Sequence, residues 1–300
     1  MKFYVEKIIC VGFVLALLCS FIYSQGINSD LSQVEEEPIA PVSQLVDDLK
    51  IQSFFYEKAE ELYHGGNCVP FSVLNEQISN VRCKIELDKL QSNRETLSYE
   101  SQRKGTLIIG KLCKCATCPN IHLMTASAFV ISKDGLCVTN HHVFSPSSMD
   151  KNSYMAVFVM DIEGNVFPVE EVMAANKEND VAIFRVNTSE TKLTPLSLGS
   201  DIKTGEEVSV VSHPQRQFYT YTKGYVTRHF ESHDAPRFSI SAEFAVGSSG
   251  APIFNSEGKV VGVVSATRAN YDSSGKSLQM VVKIAIPIEG VKKLYANECF

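Results

Sequence analysis

Residues 124–140 read MTASAFVISKDGLCVTN, two apolar runs parted by the polar stretch Ser132-Lys133-Asp134-Gly135. Runs rich in Val, Ile, Thr and Phe that alternate with Gly, Asp, Asn and Ser turns are a strand signal. The same texture begins near Gly105 and lasts almost to the end of the chain. GTLIIGKL (105–112), YMAVFVMD (154–161), DVAIFRV (180–186), EEVSVVS (206–212), RFSISAEF (237–244) and KVVGVVSAT (259–267) all read as strands. So many short strands with no helical pattern between them predict an all-β sandwich or barrel.

Upstream the pattern is helical. SQLVDDLKIQSFFYEKAEELYHGG (43–66) spaces its apolar residues for a helix that stops at Gly65-Gly66. From Pro70, Phe71, Leu74, Ile78, Val81 and Ile85 follow steps of three and four, the seam of a second helix on a partner, until Asp88 and Ser92 break it. No catalytic grouping is visible in this region, 42–104, so packing is its expected role. Residues 70–87 are also a candidate surface for a helical partner or self-association. The acidic, proline-containing stretch 25–41 reads as a flexible linker.

The chain opens MKFYVEK and continues IICVGFVLALLCSFIYS, with Ser24-Gln25 a small-residue cleavage point. The apolar run is shorter than the ~20 residues that span a bilayer comfortably. Residues 1–24 are therefore expected to be a signal peptide and the remainder secreted or periplasmic; the alternative is a membrane anchor over 8–23. The net charge of −6 offers no electrostatic reason to expect nucleic acid or an anionic membrane as partner. Of nine cysteines, Cys68, Cys83, Cys113, Cys115, Cys118, Cys137 and Cys299 lie beyond the leader. In an oxidising compartment CKCATC (113–118) reads as a cross-link. Zinc needs four ligands, and Cys115, Cys118 and His122 supply three, so neither a metal nor another cofactor is expected. Cys137, on a strand, reads as a buried thiol.

Two polar clusters interrupt the β region. VTNHHVF (138–144) ends a strand in adjacent histidines, and VGSSGAPI (246–253) is a glycine-flanked serine turn between apolar runs. A serine hydroxyl is a weak nucleophile that needs a base to take its proton and a carboxylate to orient that base. The histidine pair offers the base, and Asp180, opening DVAIFRV, the carboxylate. Three such residues, each at a strand edge, occur in the order His, Asp, Ser.

Taken together, these motifs resemble the trypsin-like serine proteases, most closely the HtrA-type branch, over about residues 105–297. SAFVISKDGLCVTNHHVF matches the approach to the base, NDVAIFRV the carboxylate strand, VGSSGAPIFNSEGKVVGVVSA the nucleophile turn and substrate-binding strand, and KIAIPIEGVKKL the closing strand and helix. The resemblance implies two Greek-key β-barrels of the chymotrypsin type, about 105–197 and 198–290, within a protease domain at 105–300. No PDZ module is expected after them. It also selects His142, three residues after Thr139, over His141, and Ser249 over Ser248. The implied activity is endopeptidase acyl transfer on polypeptide substrates by His142, Asp180 and Ser249, with the amides of Gly247 and Ser249 as oxyanion hole. Ser265, Thr267, Glu243 and Lys283 are the implied substrate-binding positions. Ser248 stands where many secreted relatives carry an aspartate that pairs with a cut N-terminus, which argues against activation of that kind, and Ala251 replaces a glycine. A free Glu243 would favour Lys or Arg before the cut bond, an ion pair with Lys283 would neutralise it, and the third reading is that both are ordinary strand-edge charges. A silent binding module and a serine esterase are the competing readings.

Overall fold

The computed structural model describes residues 45–79, 98–145, 151–189, 191–232 and 234–295. The leader, the whole linker, the seam residues Val81 and Ile85, and Cys83 and Cys299 lie outside the described residues.

Helix α1 spans Asp48–His64. The Asp47 carboxylate caps it by accepting from the Lys50 amide at 3.0 Å, and Ile51, Phe55 and Ala59, four residues apart, form its buried stripe. It ends at Gly65-Gly66, with Gly66 in the left-handed region at φ +71°. Short helices follow at Phe71–Gln77 (α2) and Tyr99–Lys104 (α3), the latter capped by Ser98. Of the expected interaction seam, Phe71, Leu74 and Ile78 are described; the first two are buried against β-sheet residues, and Ile78 packs partly buried on the same cluster.

Strands β1 (Thr106–Lys114), β2 (Ile121–Val130), β3 (Leu136–Thr139), β4 (Ser153–Met160), β5 (Val166–Asn176) and β6 (Val181–Val186) close a barrel in the order β1-β2-β3-β6-β5-β4. A second closed barrel, ordered β10-β11-β12-β9-β8-β7, uses β7 (Glu207–Ser212), β8 (Thr220–Ser232), β9 (Ala235–Ile240), β10 (Pro252–Phe254), β11 (Val260–Tyr271) and β12 (Leu278–Pro287). Neighbouring strands are antiparallel throughout, and closure leaves neither sheet a free edge. The fold is a mostly-β double barrel of chymotrypsin type with helices before it.

The helices explain why β1 is an apolar run rather than an alternation. Ile108 and Leu112 join a buried cluster with Phe55 of α1, whereas Leu107 and Ile109 join another with Phe71 and Leu74 of α2. Both faces of the strand are thus covered. At Gly110 a side chain would strike the Phe55 ring, a Cβ there falling 2.7 Å from it. The first cluster continues into the second barrel through Val211, Phe254, Val263 and Ile286, so the seam between barrels is apolar.

Candidate active site

The one-turn helix α4 (His141–Phe144) starts where β3 ends. Its first residue, His141, is buried, and burial pushes its imidazole below the ordinary value. His142 turns the other way, with nearly half of its side chain exposed. Its Nδ1 lies 3.0 Å from both carboxylate oxygens of Asp180, and its amide donates to Oδ1 at 3.1 Å. When the ring is neutral, an Nδ1–H that donates to Asp180 leaves Nε2 as an acceptor.

Asp180 immediately precedes β6 and holds a left-handed backbone, φ +54°. Aspartate tolerates that region better than most residues. The Asn140 amide Nδ2 donates to the Asp180 carbonyl at 2.9 Å, fixing the turn. Burial works to raise its carboxyl, but the hydrogen bonds from His142 and Ser265 outweigh this and hold it below the usual value.

Ser249 comes from the other barrel, in the turn between β9 and β10. Its hydroxyl donates to the Ser265 carbonyl at 3.3 Å, while the Ser265 hydroxyl donates to Asp180 Oδ2 at 2.8 Å. One residue of β11 therefore touches both the serine and the carboxylate. The turn is also stitched to the first barrel: the Ser127 amide donates to the Ser249 carbonyl at 2.9 Å, and the Ser127 hydroxyl to the Gly247 carbonyl at 2.9 Å. The Thr139 hydroxyl donates in turn to the Ser127 carbonyl at 2.8 Å. Glycine is required on both sides. Gly247 (φ +99°) and Gly250 (φ +88°) are left-handed, and a Cβ at Gly250 would sit 2.2 Å from the Ser127 carbonyl.

Residues 126–263, which hold His142, Asp180 and Ser249 and end two residues before Ser265, match the model of the trypsin-like peptidase domain. Over that stretch the double barrel is similar to a trypsin-like peptidase domain. The relatives matched are named Do-like and DegP-like proteases. Protease Do-like 5, chloroplastic, of Arabidopsis thaliana is 30% identical over 179 residues, covering 56% of this chain and 54% of its own. A probable periplasmic serine endoprotease DegP-like of Hahella chejuensis is 30% identical over 169 residues, 55% of this chain and 33% of its own, and that of Brucella suis 29% over 174 residues, 56% and 31%. The chain spans about half or less of the length of these relatives.

Within the double barrel, Ser248 is fully buried with its hydroxyl bonded to Ser212 Oγ at 3.0 Å, and Ala251 is buried in the second barrel's core. Glu243 and Lys283 meet: Nζ lies 2.7 Å from Oε2 and also donates to the Phe244 carbonyl at 2.6 Å. The lysine is nearly buried and the glutamate largely exposed. Thr267 faces Lys283 across the β11–β12 ladder. Cys137 is a buried thiol, pushed up by that burial. Among the described residues no disulfide is formed, and Cys115 and Cys118 carry free thiols. Sequence reasoning missed Ser127, Thr139 and Asn140. Each is a buried polar group in β2, in β3 or just after it.

Proposed function

We propose that this chain is a serine endopeptidase in which Ser249 is the nucleophile, His142 the general base and acid, and Asp180 the residue that orients and charges-balances the imidazole. The observation that carries the reading is the chain of contacts from His142 to Asp180 to Ser265 to Ser249. Asp180 holds Nδ1, which leaves Nε2 as the acceptor for a serine proton. Rotation of the Ser249 hydroxyl from the Ser265 carbonyl toward Nε2 starts the reaction; catalytic hydrogen bonds are commonly looser before substrate arrives.

Ser249 Oγ then adds to the peptide carbonyl as its proton passes to His142. The tetrahedral oxyanion is received by the amides of Gly247 and Ser249, each worth about 3 kcal/mol in comparable sites. His142 returns the proton to the leaving amine, and water repeats the sequence on the acyl-enzyme. Polypeptides are the proposed substrates. An extracytoplasmic location is proposed from the leader-like segment and from relatives named as periplasmic or chloroplastic. Among the described residues no helix is long and apolar enough to cross a membrane.

The test is labelling by a fluorophosphonate together with cleavage of unfolded casein. Wild type should do both. Ser249→Ala should lose labelling and about 10⁵-fold or more of the turnover. His142→Ala should lose comparable activity while His141→Ala keeps most of it. Labelling without peptide cleavage would indicate an esterase, and absence of both a binding module.

A further inference from the structure

The tip of the β1–β2 hairpin gathers three soft donors that the reaction does not use. The loop Cys115–Asn120 is closed by the Cys115 amide donating to the Asn120 carbonyl at 3.3 Å, and is tied sideways by the Ala116 amide donating to Asn152 Oδ1 at 3.2 Å. This folding aims the Thr117 amide at Cys115 Sγ, 3.4 Å away, with the Thr117 hydroxyl at 3.2 Å. Cys118 Sγ lies 3.0 Å from Nε2 of His122, the second residue of β2. The three ligand atoms all fall within 4.8 Å of one another.

We propose that Cys115, Cys118 and His122 form a site for one soft divalent cation of the zinc class. Ligand atoms around a tetrahedral zinc stand about 3.5–3.8 Å apart, given Zn–S of about 2.3 Å and Zn–N of about 2.0–2.1 Å. Adjustments of about 1 Å in an exposed hairpin loop would meet that spacing. Two thiolates and an imidazole select zinc over magnesium or calcium, which prefer oxygen. The fourth position is open on the solvent side and is taken by water or by a donor from a bound molecule. The ion would join the end of β1 to the start of β2, the strand whose Ser127 holds the Ser249 turn. Its place is structural and lies outside the triad.

The site is tested by cobalt substitution on the full chain, reduced and freed of metal with a chelator, in the Ser249→Ala background so that protease activity plays no part. One equivalent of Co²⁺ should bind with the thiolate-to-cobalt charge-transfer band of a sulfur-ligated ion, and one equivalent of Zn²⁺ should displace it. The double variant C115S/C118S should lose the band, and H122A should weaken Co²⁺ binding at least tenfold while retaining a sulfur signature. Circular dichroism checks that each variant stays folded. The proposal is overturned if folded, reduced chain gives no charge-transfer band, or gives the same band in C115S/C118S. It is equally overturned if both thiols resist alkylation until reductant is added and zinc then fails to protect them, since the pair would be a disulfide.

Discussion

Asp180 combines a left-handed backbone with partial burial and four hydrogen-bond donors: the His142 ring and amide, the Ser265 hydroxyl, and Asn140 at its carbonyl. Each donor to the carboxylate offsets part of the desolvation, and their sum keeps it ionised. Lys283 presents the reverse case. Its amine is nearly buried, so the exposed Glu243 partner and the Phe244 carbonyl satisfy it. On the proposed register, that pairing removes the negative charge that would attract a basic side chain. Lys283→Met should therefore release Glu243 and raise kcat/KM for a peptide with Lys before the cut bond about tenfold relative to its Leu counterpart, at a cost of about 1–2 kcal/mol from the unmet carbonyl. An unchanged Lys-to-Leu ratio in paired peptide assays would remove Glu243 from the specificity pocket.

At the scale of elements, the serine turn is a small piece of backbone clamped by β2 and β3. Ser127 holds it at two carbonyls, and Gly250 lets it approach within contact of the Ser127 carbonyl and Thr139. Gly250→Ala combines a clash of backbone on backbone with an unfavourable φ. It should cost at least about 2 kcal/mol or push the turn off β2. Urea unfolding and fluorophosphonate labelling should then fall together; full labelling at wild-type stability would contradict the clamp. The strands themselves were unevenly legible. Those with compact apolar runs were read correctly, as was α1 with its Gly65-Gly66 stop. β5, which carries Pro168 and the exposed pair Glu170-Glu171, was not recognised, nor was β8, most of whose residues are at least partly exposed. β5 buries Phe167, Val169 and Val172, but register shifts at Val169/Glu171 and Val172/Ala174 break its two-residue alternation, and β8 buries almost nothing, so periodicity has little to detect in either.

For the molecule as a whole, the two barrels are joined by an apolar cluster and by polar stitches that include Arg237 of β9, whose Nη2 donates to the Glu178 carbonyl at 2.6 Å, two residues before Asp180. His213, after β7, is wholly buried, with Nδ1 accepting from the Tyr219 amide at 3.1 Å. Burial pushes it down to about 3. Because that lies below the unfolded value of about 6.5, the folded chain binds fewer protons between the two. Stability should be full above about pH 6.5 and fall as pH drops toward 3, by up to about 1.4 kcal/mol per pH unit from this group. Urea midpoints at pH 7, 6 and 5 should show the decline, and His213→Gln should flatten it; an equal slope in both proteins would exclude His213 as its source.

The sequence by itself determined the β class, the leading helix, and the order of histidine, aspartate and serine motifs, because apolar periodicity and turn chemistry are written within stretches of about ten residues. Tertiary structure alone decided which groups meet. Ser265 reaches Asp180 across 85 positions, Ser127 reaches Gly247 across 120, and Cys118 finds His122 only once the hairpin bends. Those contacts depend on barrel closure and strand register, where a shift of one residue turns a side chain to the opposite face, and no local pattern encodes that choice.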